Sequence, residues 1–426
     1  MKKTWLKTAI AVAVGALSTQ VMAAGFALNE QSISGMGTSF AGRSSSADDA
    51  TTLFGNPAGM SRLQREQVSF GMAAINAKTD INDTSSFPAS GSNDGDMVPV
   101  TAVPMGYYVK PLDDKWAVGV GVYVPFGLIT DYESGFEGRY FGDYSEVRVI
   151  TVQPTVSYRF NEKLSVGFGP TINRIDGQLE SAVPPATPGA TADSRVKIKG
   201  DDTALGFNVG VLYEFTPHTR AGITYRSKVD YTLEGDTQVS GNDPTLAFIG
   251  AYGEYDASLD LETPESIDVS ITHELNDQWT LYGGAMLTRW SRLESIIVEN
   301  GGVAAGPATA AFGTIEEEQD WHDTWSYALG AAYKLNKQWT LRTGLAFDQS
   351  PTNNTHRSPR IPTGDRTAVS FGLAWNPTDD MTVDLAYSYL WEEDTKIQQA
   401  SATRGTYNAT YENSAHGFGA AMTYRF

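Results

Sequence analysis

The chain has 426 residues, 31 basic against 50 acidic, a formal net charge of −19 and no cysteine. That acidity argues against nucleic acid or an anionic membrane surface as partner. Without cysteine there is no disulfide support and no thiolate chemistry.

Residues 1–23, MKKTWLKTAIAVAVGALSTQVMA, carry three lysines, an apolar run from Ala9 to Leu17, and small residues at Val21 and Ala23. This is the layout of a secretory signal cleaved after Ala23. Its apolar run is too short to span a bilayer as a helix. Removal would leave 28 basic against 50 acidic residues, a net charge of −22. Downstream, no stretch approaches the roughly 20 apolar residues a helical span needs. An exported chain of this kind is either a soluble all-β protein or a membrane barrel.

Residues 24–65 are rich in Gly, Ser and Ala and lack strand alternation. Such composition usually marks a flexible tail. A tail has no use for the spaced apolar residues found here, among them Phe26, Ile33, Met36, Phe40 and Leu53.

From residue 66 the pattern changes. EQVSFGMAAINAK (66–78) alternates as a strand, and six short elements then punctuate alternating runs: LDDKW, NEKL, TPHTR, NDQWTL, NKQWTL and TDDMTV. Each reads as a tight hairpin turn, giving twelve strands. The first run and the final HGFGAAMTYRF bring the total to fourteen. Long segments separate the hairpins, near 79–98, 128–145, 181–194, 237–255, 294–318, 351–365 and 395–412. Short connections on one side, long ones on the other and an even strand count predict an all-β, 14-stranded antiparallel transmembrane barrel over residues 66–426, with both termini periplasmic.

In WTLRTGLAFD, Trp339, Leu341, Leu345 and Phe347 share one face, while Thr340, Arg342 and Asp348 share the other. A soluble sandwich would also alternate. Aromatic residues beside the short turns (Trp116, Trp279, Trp339) and near the long loops (Trp290, Trp325, Trp391) favour the membrane, as interfacial girdles. The third strand interrupts itself: in KWAVGVGVYVPFGL, Pro125 and Gly127 arrive before the apolar pattern ends. Proline has no ladder donor and glycine weakens a strand, so either the strand ends at the rim or the ladder stops there.

A barrel of fourteen strands is too wide for its own side chains to fill. Residues 24–65 enter from the periplasmic end and are long enough to fold back as a hatch, or plug, inside the lumen. Here the sequence becomes specific. AGFALNEQSISGMG, ADDA (47–50), NPAG (56–59), PFGL (125–128), LYEF, ITYRSKV, RTGLAFDQSP and IPTGDR (361–366) occur in order over nearly the whole mature chain. Together they resemble the FadL family, the long-chain fatty acid transporters of Gram-negative outer membranes.

The resemblance implies a fourteen-stranded barrel with an N-terminal hatch, and passive, ligand-gated uptake of long-chain fatty acids. It implies capture at apolar extracellular loops, with Leu246, Phe248 and Ile249 forming part of the groove. It further implies lateral exit through a gap in the wall at the third strand, with Pro125, Phe126 and Gly127 at or near its start. Ala24, Gly25 and Phe26 would open the hatch, Phe26 blocking the route until ligand displaces it; Asn56, Pro57 and Ala58 would hold the hatch turn. Outer-membrane lipid, lipopolysaccharide and the barrel-assembly machinery, which reads C-terminal ends such as MTYRF, are the expected partners of a monomer. No cofactor and no metal cluster is expected.

By this resemblance, two positions expected to align with the basic residues of fatty-acid-carrying relatives hold Ser181 and Glu317 instead. A buried fatty carboxylate needs a cation or donor, leaving Arg174, Arg226, Lys228 and Arg289 as candidates. Alkanes, aromatic hydrocarbons or other neutral hydrophobes therefore stay open as substrates. A general porin would have no need of residues 24–65. A hydrolase would have to rest on His322 in DWHDTW with Asp320 and Asp323, without a serine motif.

Overall fold

The computed structural model describes residues 25–426; the expected signal segment and Ala24 lie outside them. Among the described residues, nineteen strands form one antiparallel sheet. In chain order they are β1 (Gln67–Phe87), β2 (Thr101–Pro111), β3 (Trp116–Asp131), β4 (Tyr144–Arg159), β5 (Leu164–Val183), β6 (Ser194–Thr216), β7 (Thr219–Arg226), β8 (Val229–Ser240), β9 (Gly253–Thr263) and β10 (Ser266–Glu274). There follow β11 (Trp279–Thr288), β12 (Ser295–Gly301), β13 (Thr314–Glu318), β14 (Thr324–Lys334), β15 (Trp339–Asp348), β16 (Arg366–Thr378), β17 (Met381–Glu392), β18 (Thr395–Ser401) and β19 (Gly405–Arg425).

Fourteen of these close a ring. β1 to β7 pair in succession, β7 pairs with β10, and β10, β11, β14, β15, β16, β17 and β19 continue back to β1. The other five strands, β8, β9, β12, β13 and β18, carry the sheet onward on the side of the long connections. All six turns expected from the sequence join neighbouring staves. Four share one chemistry: Asp113, Asn161, Asn276 and Asn336 each accept two backbone N–H bonds, from the residues two and three positions on, at 2.7 to 3.0 Å. An Asx side chain closes the turn in place of a backbone group.

The faces divide as the alternation predicts. Phe70, Val152, Ile172, Leu205, Leu345 and Phe371 are exposed on the outer wall, the band that meets lipid. Aromatic pairs mark its periplasmic border, with ring centroids at 4.5 Å for Trp116–Tyr158, 4.7 Å for Trp279–Tyr333 and 5.9 Å for Trp339–Trp375. Trp325 and Trp391 are exposed near the opposite border, but Trp290 is buried. Expected in the girdle, it belongs to the interior instead.

Residues 25–66 occupy the lumen. They form α1 (Ile33–Met36), α2 (Thr52–Gly55) and a 3₁₀ turn (Pro57–Arg62). So little regular structure leaves carbonyls without internal donors, and buried backbone groups must be paired. The wall supplies the donors: Thr224 Oγ1 to Gly55 O (2.8 Å), Arg226 Nη2 to Phe54 O (2.7 Å) and Arg220 Nε to Ser45 O (2.8 Å). At Gly222 the hatch comes so close that a Cβ would overlap the Ser44 carbonyl.

Candidate functional site

The site is where the start of the hatch meets β3. β2 and β3 pair from Pro111↔Ala117 only as far as Gly106↔Val122. Beyond that point β2 continues to Thr101 beside β1, while β3 continues to Asp131 beside β4. Within β3, Val124 and Pro125 together face one β4 residue, Ile150, because the register shifts between Tyr123 and Phe126. This is a bulge, which bends a strand and breaks its ladder. The sequence reading puts the departure at or near Pro125 to Gly127, or earlier among Gly119 to Val124; pairing with β2 ends at Val122.

The freed edge is not left bare. Leu28 N–H donates to Pro125 O and Gly127 N–H donates to Phe26 O, both at 2.8 Å. Gln31 Nε2 donates to Val124 O at 2.5 Å, and Tyr107 Oη on β2 donates to Gln31 O at 2.9 Å. The hatch thus takes the place of β2 as the partner of β3.

Phe26 is buried in an aromatic box. Its ring lies 5.0 Å from Trp290, 5.7 Å from Phe126 and 6.1 Å from Trp321, with the two indoles 5.1 Å apart. Gly25 has φ +65°, and a Cβ there would lie 2.7 Å from both indoles. Glycine is required on both counts. Trp290 sits in the short turn Trp290–Arg292, and two ion pairs pin that turn: Arg289 to Asp323 (2.6 Å) and Arg292 to Glu265 (2.8 Å). Burial works to raise the Asp323 carboxyl, but the Ser291 and Arg289 contacts outweigh it and hold it below its usual range. The hydrogen bonds from Arg292 lower the Glu265 carboxyl likewise.

Beside Phe26 opens a cavity of about 70 Å³, walled by Leu128, Ile175, Leu233, Leu261, Leu293 and Ile361. Its apolar lining suits a greasy ligand, and a long chain enters it only if the lining or the Phe26 ring moves. Arg360 borders it, with Nε to Glu317 at 2.9 Å and Nη1 to the Tyr144 and Glu180 carbonyls at 3.0 and 3.1 Å. Glu317 is the counter-ion of a cation supplied from the 351–365 loop.

The other expected residues fall elsewhere. Arg174 pairs on the outer face with Asp201 (3.0 Å) and Lys228 pairs with Asp230 and Glu262. Arg226 lies 4.3 Å over the Phe54 ring, and Arg289 serves the tryptophan turn. None of the four lines this cavity, whose lining carries the cations Arg360 and Lys199. Asn56 is fully buried and donates to Ser44 O (2.7 Å) and Val211 O (2.9 Å) while accepting from Ala58 N–H; Pro57 begins the 3₁₀ turn. In the loop helix α3 (Pro244–Phe248), Leu246 is buried against Val239 and Phe312, whereas Phe248 is 91% exposed and Ile249 packs at the cluster's margin. Asp323 is turned to Arg289 and Ser291 rather than to His322.

Sequence reasoning missed Trp321 and Arg360, although DWHDTW drew notice for its histidine. A tryptophan and an arginine in loops carry no local signal of what they will pack against.

Residues 14–426 match the family described as outer membrane protein transport protein (OMPP1/FadL/TodX). The chain belongs to this family. A long-chain fatty acid transport protein of Escherichia coli O6:H1 is 30% identical over 452 residues, covering all of this chain and 99% of that one. The crystal structure of a Pseudomonas aeruginosa FadL homologue superposes with a TM-score of 0.84 at 24% identity, over 95% of this chain and all of that one. The Ralstonia pickettii toluene transporter gives 0.67 at 19% identity, over 92% and 97%. This FadL-family chain is therefore an outer-membrane transport protein with the family's closed barrel.

Proposed function

We propose that the protein takes up long-chain fatty acids by passive, ligand-gated diffusion, with lateral exit at β3. The observation that carries this reading is the double position of Phe26. Its side chain lines the apolar cavity, and its backbone carbonyl holds the edge of β3 that β2 has released. A ligand that fills the cavity competes with the Phe26 ring, and moving that ring strains the two hydrogen bonds to β3. Ligand binding then favours the open arrangement by its differential affinity for it. An apolar route is needed because each methylene moved into water costs roughly 0.8 kcal/mol.

The E. coli relative bears the name of a long-chain fatty acid transport protein, which favours this substrate. A second reading, uptake of neutral hydrophobes, rests on one observation: Arg360 is already matched by Glu317. Residues 1–23 act in this account as a cleaved export signal, and 24–65 as the hatch. Outer-membrane lipid and lipopolysaccharide would surround a monomeric barrel assembled by the cell's barrel machinery.

The test is uptake of labelled oleate by a transporter-deficient strain carrying this chain, alongside conductance in planar bilayers. Saturable uptake with little steady conductance supports the reading. A large steady conductance without oleate uptake would point to a porin.

A further inference from the structure

The cavity beside Phe26 reaches toward the outer loops along a particular part of the wall. Gly177 on β5, Gly200 on β6 and Gly235 on β8 stand side by side in register, and Ala257 on β9 follows. Gly177, Gly200 and Ala257 line the cavity. On one side of this level lies the loop cluster of Val239, Leu246 and Phe312, against which Ile198 packs; Ile198 also lines the cavity. On the other side lie Ile175, Leu233 and Phe26. Apolar surface is therefore continuous from the loop cluster to the hatch.

Leu233 lies across two of the glycines. A Cβ on Gly177 would stand 3.3 Å from Leu233 Cδ2, and one on Gly200 would stand 3.2 Å from Leu233 Cβ. Both distances are tight, so the leucine would have to give by a few tenths of an ångström for a methyl and by more for a branched side chain. Close-packed interiors accommodate added carbons by displacing neighbours, and the open neighbour of Leu233 is the cavity. We propose that Gly177 and Leu233 together set the bore of the ligand route, and so determine how wide a hydrophobic chain the protein accepts. Glycine lets Leu233 lie flat against the wall; a branched side chain at 177 pushes it toward the passage. This rests on the uptake reading above and specifies its selectivity.

The experiment uses the full chain in the outer membrane of a transporter-deficient strain, with the amount of assembled barrel measured by heat-modifiable mobility. The probes are labelled oleate and a labelled long-chain acid with methyl branches. Gly177→Val lowers oleate uptake about tenfold per assembled barrel, the discrimination one or two carbons give in an apolar pocket. Adding Leu233→Ala to it restores uptake, and Leu233→Ala alone raises the ratio of branched to straight uptake. Leu233→Phe narrows the route without touching the glycine, so it carries the test should Gly177→Val not assemble. Assembled Gly177→Val or Leu233→Phe barrels that take up both probes like wild type would overturn the inference and leave the uptake reading intact. Failure of wild type to take up either probe defeats the uptake reading itself.

Discussion

Gly127 N–H donates to the Phe26 carbonyl at 2.8 Å, across 101 positions of sequence and between the hatch and the wall. With the Leu28 to Pro125 bond it forms an antiparallel bridge whose central pair is Ala27 and Phe126. A closure held by two backbone hydrogen bonds, the Gln31 bond to Val124 and one aromatic ring is reversible on the scale of ligand binding, since each bond contributes only about 1 kcal/mol net.

Locking the bridge tests whether it must open. Paired residues of antiparallel strands have Cα atoms at roughly 4.5–5.5 Å, within the range of a disulfide, and the chain has no cysteine to interfere. Ala27→Cys with Phe126→Cys should abolish oleate uptake when oxidised and restore it with reductant. Equal uptake in both states would mean the hatch start stays on β3 during transport.

Phe26→Ala should weaken the closure. Removing a buried Phe ring costs about 3–5 kcal/mol of local packing, and a competent state that is more populated binds ligand with higher apparent affinity. The apparent affinity of the purified protein for labelled oleate should rise about tenfold. Unchanged or weaker binding would remove Phe26 from the route.

The Arg360–Glu317 pair makes a prediction about head groups. With the guanidinium already matched, oleate and oleyl alcohol should bind with affinities within about tenfold of each other. Glu317→Gln leaves Arg360 its charge without its counter-ion, so oleate should tighten by about tenfold while the alcohol does not. Competition binding with both ligands checks this. A wild-type preference for oleate of roughly a thousandfold would require another carboxylate partner.

Acid should loosen the aromatic box. Asp323 and Glu265 both titrate below their ordinary range, so their ties to Arg289 and Arg292 are intact above that range. The ties are lost as pH falls through the depressed values. Tryptophan emission should therefore hold steady from neutrality to the usual carboxylate range and shift red only below it. Asp323→Asn should show part of that shift already at neutral pH.

Much of this fold was legible in the chain. Strand number followed from six turns that close locally, four through an Asn or Asp and two through a Thr, and wall polarity followed from a period of two. Pro125 pointed to an irregularity in β3 because a missing donor is a property of the residue, and a bulge lies there. The gate's contents were less legible. Phe26 was legible only through a family likeness, and Trp290 was assigned to lipid because periodicity cannot tell a girdle from a box. Trp321 and Arg360 come from loops whose paths no local pattern fixes.

By itself, then, the sequence determined what depends on near neighbours: the strands, the turns, the greasy exterior and the irregularity at Pro125. Only the tertiary structure decided that the start of the hatch, rather than β2, holds β3. Only it decided that Glu317 neutralises Arg360, and that Gly177 and Gly200, from separate strands, lie abreast under Leu233. Those relations join residues dozens to hundreds of positions apart, and they exist only once the ring has closed and its lumen is filled.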